Sequence, residues 1–220
     1  MNKSFWKKNL KKRLIAFFDV CRNVTDSGMV KMLIYYCNRL WSMYFNHGLC
    51  KKLYRVGQNV RFSFPTYIIG EKHISIGSNF DSGLRFRLEA IDNHLGVKFS
   101  PRIKFGSNIS INHDCHIGAI NEIVIEDGVL IASKVFITDH FHGDISSSAL
   151  SLPPSERKLF SKGSVRIEKN VWIGEGVVIL PNVTIGESSI IGANSVITKD
   201  VPKNSVVGGN PQRVIRYLHD

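Results

Sequence analysis

A six-residue spacing of isoleucine is the feature that most constrains the fold of this 220-residue chain. Near the C-terminus six residues hold the period: Ile167, Ile173, Ile179, Ile185, Ile191 and Ile197. Two earlier runs keep the same spacing: Phe105, Ile111 and Ile117, then Ile125, Ile131 and Ile137. An amphipathic helix needs a period of about 3.6 residues and a half-buried strand a period of about 2, so this pattern favours neither.

A period of six is typical of a chain that lays one short strand per hexapeptide along one face of a triangular prism. Three faces complete a coil of about 18 residues, and the repeated β-branched side chain points to the prism axis. Glycine or a small polar residue is expected at each corner, where a side chain would crowd or φ must be positive. We therefore predict a mainly β protein, a parallel β-helix.

The register is interrupted at two places. Between Ile117 and Ile125 the step is eight residues, which predicts a small insertion at a corner. Between Ile137 and Ile167 lies a polar, proline-containing segment that cannot form a prism face. We predict a protruding loop over about 139–164, and a loop of this length inside a regular repeat is usually functional. Residues 56–100 carry weaker repeats and are expected to form irregular first coils.

The positive charge of the chain is concentrated at its N-terminus. Residues 1–55 hold twelve Lys and Arg against two acidic residues, a balance of +10 out of a formal +11. Residues 4–47 have the pattern of two helices, the second running from Met29 to Phe45 and ending at residues 46–48. We predict a basic helical arm over 1–55 and a β-helix domain over 56–216, with a short tail to 220. The arm is suited either to an anionic lipid surface or to packing on protein.

Cysteine usage and hydropathy predict a cytoplasmic protein. The basic arm could add peripheral contact with the inner face of the cytoplasmic membrane. The four cysteines show no CxxC pairing and are typical of reduced thiols. No apolar run approaches the roughly 20 residues of a membrane span. The basic start lacks a sustained apolar core and a small-residue cleavage site, so a signal peptide is not expected. The nearly neutral remainder of the chain gives no indication of nucleic-acid binding.

Four motifs carry a family resemblance: ITDHFHG (137–143), VWIGEG (171–176), ITKDVP (197–202) and GGNPQRVIR (208–216). With them, residues 56–216 resemble the hexapeptide-repeat acetyltransferases, in the branch with galactoside, maltose and polysaccharide O-acetyltransferases. The resemblance implies a left-handed parallel β-helix and a homotrimer with sites between subunits. It also implies acetyl-CoA as the co-substrate and a sugar or polysaccharide hydroxyl as the acceptor.

The same resemblance places the catalytic base at His140, at the entrance of the long loop. Acetyl transfer to a hydroxyl needs a base because a neutral alcohol is a poor nucleophile, and histidine titrates near neutral pH. His142 is the rival, although in an extended segment the two rings would point to opposite sides. A base usually needs an orienting acceptor, which in the related enzymes is a carboxylate or a backbone carbonyl. The sequence does not choose among three candidate carboxylates: Asp92, Asp114 and Glu156.

The resemblance further assigns binding residues. Asn112 matches a sugar-contacting position, with a corner-turn asparagine as the alternative, and Trp172 matches an aromatic residue on the acetyl or acceptor side. Six positions match the CoA site, and the three cations among them, Lys199, Arg213 and Arg216, are suited to the CoA phosphates. The six are Ala132, Ala193, Thr198, Lys199, Arg213 and Arg216. Glu175 occupies a corner where a carboxylate would alter the CoA contact, and Cys115 is expected to be a packing residue rather than an acyl carrier.

Other classes remain as alternatives. Zinc carbonic anhydrases share the prism but need three histidines at a spacing that His113, His116, His140 and His142 do not show, so no metal is expected. N-acetylation of an amino-sugar nucleotide is a second enzymatic alternative. A β-helical scaffold without catalytic activity would not require the loop and tail motifs together.

Overall fold

The computed structural model describes Met32, Leu40, 44–144 and 146–218. The chain divides into two units, residues 1–45 and residues 46–220. In the first unit the described residues are helical, and the first predicted helix lies outside them. Residues 46–50 are helical as well, so the helix stop predicted at 46–48 is wrong. Asn46 does not end the helix, because its side-chain amide exchanges two hydrogen bonds with the Phe62 backbone instead. The domain boundary at residue 55 stays a prediction, and residues 46–54 lie in the second unit.

The described part of the second unit winds through six coils of three short strands each. The first two coils are formed by β1 (Arg55–Val56), β2 (Val60–Phe62), β3 (Thr66–Ile69), β4 (Ile74–Ile76), β5 (Phe80–Ser82) and β6 (Phe86–Ala90). A hairpin follows, β7 (Asn93–His94) and β8 (Val97–Lys98). The third and fourth coils are formed by β9 (Arg102–Phe105), β10 (Ile109–Ile111), β11 (His116–Ala119), β12 (Glu122–Ile125), β13 (Leu130–Ile131) and β14 (Phe136–Thr138).

The long loop then contributes its own antiparallel pair, β15 (Phe141–His142) and β16 (Leu159–Phe160). The last two coils are formed by β17 (Val165–Ile167), β18 (Trp172–Ile173), β19 (Val178–Ile179), β20 (Thr184–Ile185), β21 (Ile190–Ile191) and β22 (Val196–Ile197). The chain ends in β23 (Ser205–Gly208) and β24 (Arg213–Tyr217). Helical turns lie at Glu71–His73, Ser147–Leu150 and Pro154–Glu156. Within the described part of the chain, no helix is both long enough and apolar enough to span a bilayer.

Three parallel sheets make the three faces of the prism. The first strand of each coil belongs to face A, the second to face B and the third to face C. The repeated isoleucines stack in register along the axis, as Ile111, Ile131, Ile173 and Ile191 do on face B. All four are essentially inaccessible to solvent. The parallel β-helix and the loop at 139–164, between the end of β14 and the start of β17, are both confirmed.

The first coils are more regular than predicted. Their strands pair in the same register as the later ones, but phenylalanine replaces isoleucine in much of the core. The rings of Phe62, Phe80 and Phe105 form a stack with centroid separations of 5.3 and 5.1 Å. The repeat is weak in the sequence there because the residues that fill the axis change, while the coil itself does not.

At each corner from face A to face B, one residue has a positive φ, in the left-handed region of backbone conformation. Asparagine takes that place most often, and the seven residues are Asn59, Asn79, Asn108, Gly128, Asn170, Ser188 and Asn204. In the first three coils the asparagine side chains also form hydrogen bonds with one another: Asn59 Nδ2 donates to Asn79 Oδ1 (3.0 Å), and Asn79 Nδ2 donates to Asn108 Oδ1 (2.9 Å). Asparagine tolerates positive φ better than other residues with a Cβ, which explains its use. Glycine is required where the backbones of two successive coils approach closely, since a Cβ on Gly77 would lie 2.4 Å from the Gly106 carbonyl oxygen.

We expect Asn79→Ala to lower the free energy of unfolding by about 1–2 kcal/mol, because alanine is strained at positive φ and cannot continue the ladder. Asn79→Gly keeps the backbone conformation and should cost less. The measurement is the urea midpoint at constant m-value. Ser110→Ala, at an exposed strand position of face B, is the control. A midpoint for Asn79→Ala equal to that of the control would show that the corners do not depend on this residue.

Candidate active site

In three successive coils the chain departs from the prism at the corner between face C and face A, which we call the C–A edge. The second coil leaves through the β7–β8 hairpin, the third through residues 120–121 and the fourth through the long loop 139–164. A cavity of about 430 Å³ lies between the hairpin and the loop. Its lining includes Glu89, His116 and Gly118 from face C and His140 at the start of the loop. The pocket therefore forms at the corner where the six-residue period of the sequence is interrupted.

His140 sits two residues beyond the end of β14 with its side chain 12% exposed. Its Nδ1 atom lies 3.0 Å from Asp139 Oδ1 and 3.2 Å from Thr138 Oγ1. A carboxylate acceptor on Nδ1 favours the tautomer with the proton on that nitrogen. Nε2 is then the ring nitrogen with a lone pair for a substrate proton.

Asp139 is a candidate site residue that sequence reasoning missed. Its carboxylate is fully buried and accepts the backbone N–H of Ile120 (2.9 Å) and of Asn121 (2.8 Å) in addition to its contact with His140. These bonds offset the cost of burying a charge. The eight-residue step between Ile117 and Ile125 thus has a use, because its extra residues supply both backbone donors.

The three carboxylates considered from the sequence take other partners. Asp92 lies 2.8 Å from Lys72 and 3.2 Å from His73, and Asp114 forms a bidentate pair with Arg85. Hydrogen bonds from Lys72 and His73 hold the pKa of Asp92 below the usual range, and those from Arg85 do the same for Asp114. Glu156 is exposed in a helical turn of the loop. Within the chain it is instead Asp139 that contacts His140, because the bend after β14 brings the adjacent side chain onto the ring.

His142 lines the same cavity from β15 but has a different neighbour. Its ring packs against His94 of the hairpin, edge to face, with centroids 5.8 Å apart. The structure therefore gives His140 the carboxylate contact expected of a base and places His142 between the loop and the hairpin.

A second histidine–carboxylate pair lies on the pocket floor. Glu89 is buried, and its two oxygens lie 2.9 Å from His116 Nε2 and 2.9 Å from an Arg87 guanidinium nitrogen. Burial lowers the pKa of His116, with the Glu89 contact acting in the opposite direction. His116 is then a neutral imidazole that donates from Nε2 to Glu89. The sequence offered this histidine only as a possible metal ligand.

Three of the residues expected to bind CoA or acceptor lie along another corner, the B–C edge. Asn112, Ala132 and Ala193 each follow a face-B strand, on successive or nearly successive coils. Successive coils stack closely at this edge, since a Cβ on Gly174 would lie 2.7 Å from the Ala193 backbone nitrogen. Trp172 lies on face B itself, 50% exposed. Within one chain these residues and His140 are on different edges, so the structure does not bring the predicted site together.

The remaining CoA candidates lie at the C-terminal end of the prism. Thr198 and Lys199 follow β22 on the C–A edge, and Gln212 Oε1 accepts their backbone N–H groups at 2.5 and 3.1 Å. Arg213 and Arg216 are exposed in β24, the strand that begins just after Gln212. The tail is therefore fastened to the edge that carries His140, two coils away.

Two further residues have plain structural explanations. Glu175 is exposed and lies 3.2 Å from Lys134. Cys115 is buried, its Sγ donates to the Ala132 carbonyl, and burial raises its pKa to about 11. A thiol that stays protonated is a poor acyl carrier, which agrees with the packing interpretation. In the described ranges no group of three or more His, Cys, Asp or Glu is arranged to hold a metal ion.

Comparison with known proteins agrees with this architecture. Residues 164–199 match the family described as bacterial transferase hexapeptide (six repeats). The Escherichia coli K12 protein WbbJ, whose name assigns it to lipopolysaccharide-biosynthesis O-acetyl transfer, is 40% identical over 177 residues, covering 78% of this chain and 85% of that one.

Two solved structures extend the comparison. A galactoside acetyltransferase in complex with coenzyme A is 30% identical, with a TM-score of 0.52 over 78% of this chain and 68% of that one. A variant of the Bacillus cereus N-acyltransferase AntD, in complex with dTDP-4-amino-4,6-dideoxyglucose and coenzyme A, is 25% identical, with a TM-score of 0.62 over 80% and 90%. The coils have the left-handed sense of these relatives, and the chain is an acetyltransferase that belongs to the bacterial hexapeptide-repeat transferase family.

Proposed function

We propose that the chain transfers an acetyl group from acetyl-CoA to a sugar hydroxyl of a surface polysaccharide, such as O-antigen, capsule or exopolysaccharide. The observation that carries the proposal is the buried Asp139–His140 pair, whose histidine lines a cavity of about 430 Å³ and contacts the carboxylate through Nδ1. The names of the relatives support the choice of acceptor, since WbbJ is named for lipopolysaccharide biosynthesis and a second relative for galactosides.

The proposed reaction is direct transfer in a ternary complex. As the acceptor oxygen attacks the thioester carbonyl, His140 Nε2 takes the hydroxyl proton. Asp139 keeps the ring in the reactive tautomer and stabilises the imidazolium that forms. When the carbon–sulfur bond breaks, the imidazolium returns the proton to the leaving CoA thiolate. Backbone N–H groups are proposed to stabilise the oxyanion of the intermediate.

The main alternative is N-acetylation of an amino-sugar nucleotide, which the likeness to AntD supports. Both reactions use a base and acetyl-CoA, so the acceptor decides between them. A non-enzymatic scaffold is excluded by membership of a transferase family. Cytoplasmic location stays a prediction. Contact of residues 1–55 with an anionic membrane also stays a prediction, because most of that arm lies outside the described residues.

A trimer is proposed because one chain separates Trp172, on face B, from His140, on the C–A edge. Outward residues on face B form an apolar row in register, Leu130, Trp172, Ile190 and Val206. Face C carries a matching row, Phe136, Val178 and Val196. The two faces meet at the B–C edge, and exposed apolar rows of this kind mark protein interfaces. Packing three copies around that edge would cover both rows and set one chain's face B, which carries Trp172, against its neighbour's face C, which borders the C–A edge.

We expect His140→Ala to lower kcat by about 10² or more, because the hydroxyl loses its base, while acetyl-CoA affinity stays nearly unchanged. The assay is release of the CoA thiol in the presence of p-nitrophenyl galactoside and glucoside, with acetyl-CoA binding followed by calorimetry. His113→Ala, an exposed histidine at a B–C corner, is the control. If His142→Ala abolishes activity and His140→Ala does not, the base has been misassigned.

Removal of charge at Lys199, Arg213 or Arg216 is expected to raise the KM for acetyl-CoA and to spare the KM for the acceptor, since each cation would meet a CoA phosphate. Steady-state kinetics with each substrate varied in turn provides the measurement. Lys104→Ala, an exposed lysine on face A, is the matched control. Equal effects on both KM values would contradict the placement.

If sites lie between subunits, two inactive variants should complement each other. His140→Ala and Trp172→Ala, mixed after denaturation and refolded together, should recover partial activity, because some mixed interfaces would contain both native residues. Sedimentation velocity establishes the assembly state, and each variant refolded alone is the control. A fully active monomer would refute the trimer.

A further inference from the structure

The pocket floor, formed by Glu89, His116 and Gly118, has more polar groups than a single catalytic base requires. His140 is one of two imidazoles that converge there, and the second, His116, has no part in the proton transfer described above. A Cβ added at Gly118 would lie 3.5 Å from His116 Nε2 and 3.5 Å from His140 Cε1. Both rings therefore border the space above Gly118, which a larger side chain at that position would fill.

The charges of the floor are balanced. The Glu89 carboxylate is compensated by Arg87, and the His116 ring is neutral because burial lowers its pKa. Glu89 has used one contact on each oxygen, whereas a carboxylate can accept about four hydrogen bonds. The floor therefore offers spare acceptor capacity at a fixed position without a net charge to attract an ion. A hydroxyl group, which can donate to Glu89, suits it better than a phosphate or an ammonium group.

The hairpin wall adds a third polar atom. His94 Nε2 is buried and has no hydrogen-bond partner among the described residues. An unpaired buried polar atom is costly unless a ligand or water completes it. His94 lines the cavity, and its ring is fixed against His142 of the loop. A polar group of a bound substrate would satisfy this nitrogen.

We propose that Glu89, His116 and His94 form an acceptor site that selects an uncharged pyranose with a free hydroxyl adjacent to the one that is acetylated. The inference rests on the proposed function and specifies its substrate class. The reacting hydroxyl lies at His140 Nε2, and its vicinal neighbour lies over Gly118 and donates to Glu89. His94 meets a more distant polar group of the sugar. Glu89 is then a specificity residue, and His116 positions it.

The test uses acetyl-CoA and p-nitrophenyl pyranosides of the galacto and gluco series, with CoA thiol release as the readout and NMR to locate the acetyl group. Analogues that lack the hydroxyl on either side of the acetylated position are then compared with the parent. For the native enzyme we expect at least one of these deoxy acceptors to lose about tenfold or more in kcat/KM, because a buried acceptor is left unpaired. Equal rates for the parent and both deoxy acceptors would overturn the proposal without any variant.

Variants then connect the effect to the residues. Glu89→Gln should lower kcat/KM for the parent and reduce its preference over the deoxy acceptor, with an unchanged KM for acetyl-CoA. Glu126→Gln, which alters another arginine-paired carboxylate on face A, is the matched control. Gly118→Ala should raise the acceptor KM by filling the space, and its new methyl would make ordinary contacts, so folding should be preserved. Gly48→Ala, with open space around it, is the control. Full retention of the preference in Glu89→Gln would refute the assignment.

The two levels of inference can fail separately. If the native enzyme binds acetyl-CoA but acetylates an amino-sugar nucleotide and none of the pyranosides, O-acetyl transfer is wrong and the vicinal-hydroxyl site falls with it. If pyranosides are acetylated with no sensitivity to the adjacent hydroxyl, the proposed function stands and the acceptor site is wrong.

Discussion

The structure depends on the hydrogen bonds that each coil exchanges with the coils on either side. A short strand of two to five residues has too few contacts to hold its place alone, so the three sheets must keep one register together. Any side chain at an inward position must fit the same triangular column as its neighbours above and below. This requirement fixes the six-residue period and leaves outward positions and corners as the places where sequence is free to vary.

Freedom at the corners is used unevenly. The A-to-B corner is nearly identical in every coil and is maintained by residues that accept positive φ. The C-to-A corner is the variable one, and it hosts a hairpin, a two-residue extension and a long loop on consecutive coils. These three departures are adjacent because the coils are stacked, although they are distant in sequence. The site is thus assembled by the stacking itself: Asp139 is held by the third coil's corner and His140 belongs to the fourth.

Sequence reasoning succeeded where a repeated physical demand leaves a repeated residue. The isoleucine column predicts the coils, and its interruption after Ile137 locates the loop. It failed where the same demand is met by other means, as in the first coils, where Phe62 and Phe80 fill the axis. It also failed for Asp139, because adjacent residues in an extended strand point apart and only a bend joins them. The Glu89–His116 pair joins residues 27 positions apart, which no local pattern reveals.

The last strand has a consequence for how the molecule behaves in concentrated solution. A prism of parallel coils could in principle continue from one molecule into the next, as cross-β fibres do. On face B the next layer is β24, which runs antiparallel to β23 and so changes the spacing of the exposed N–H and C=O groups. Arg213 and Arg216 place positive charge along that edge. A second molecule cannot extend the parallel register there, and the strand acts as a terminator against end-to-end polymerisation.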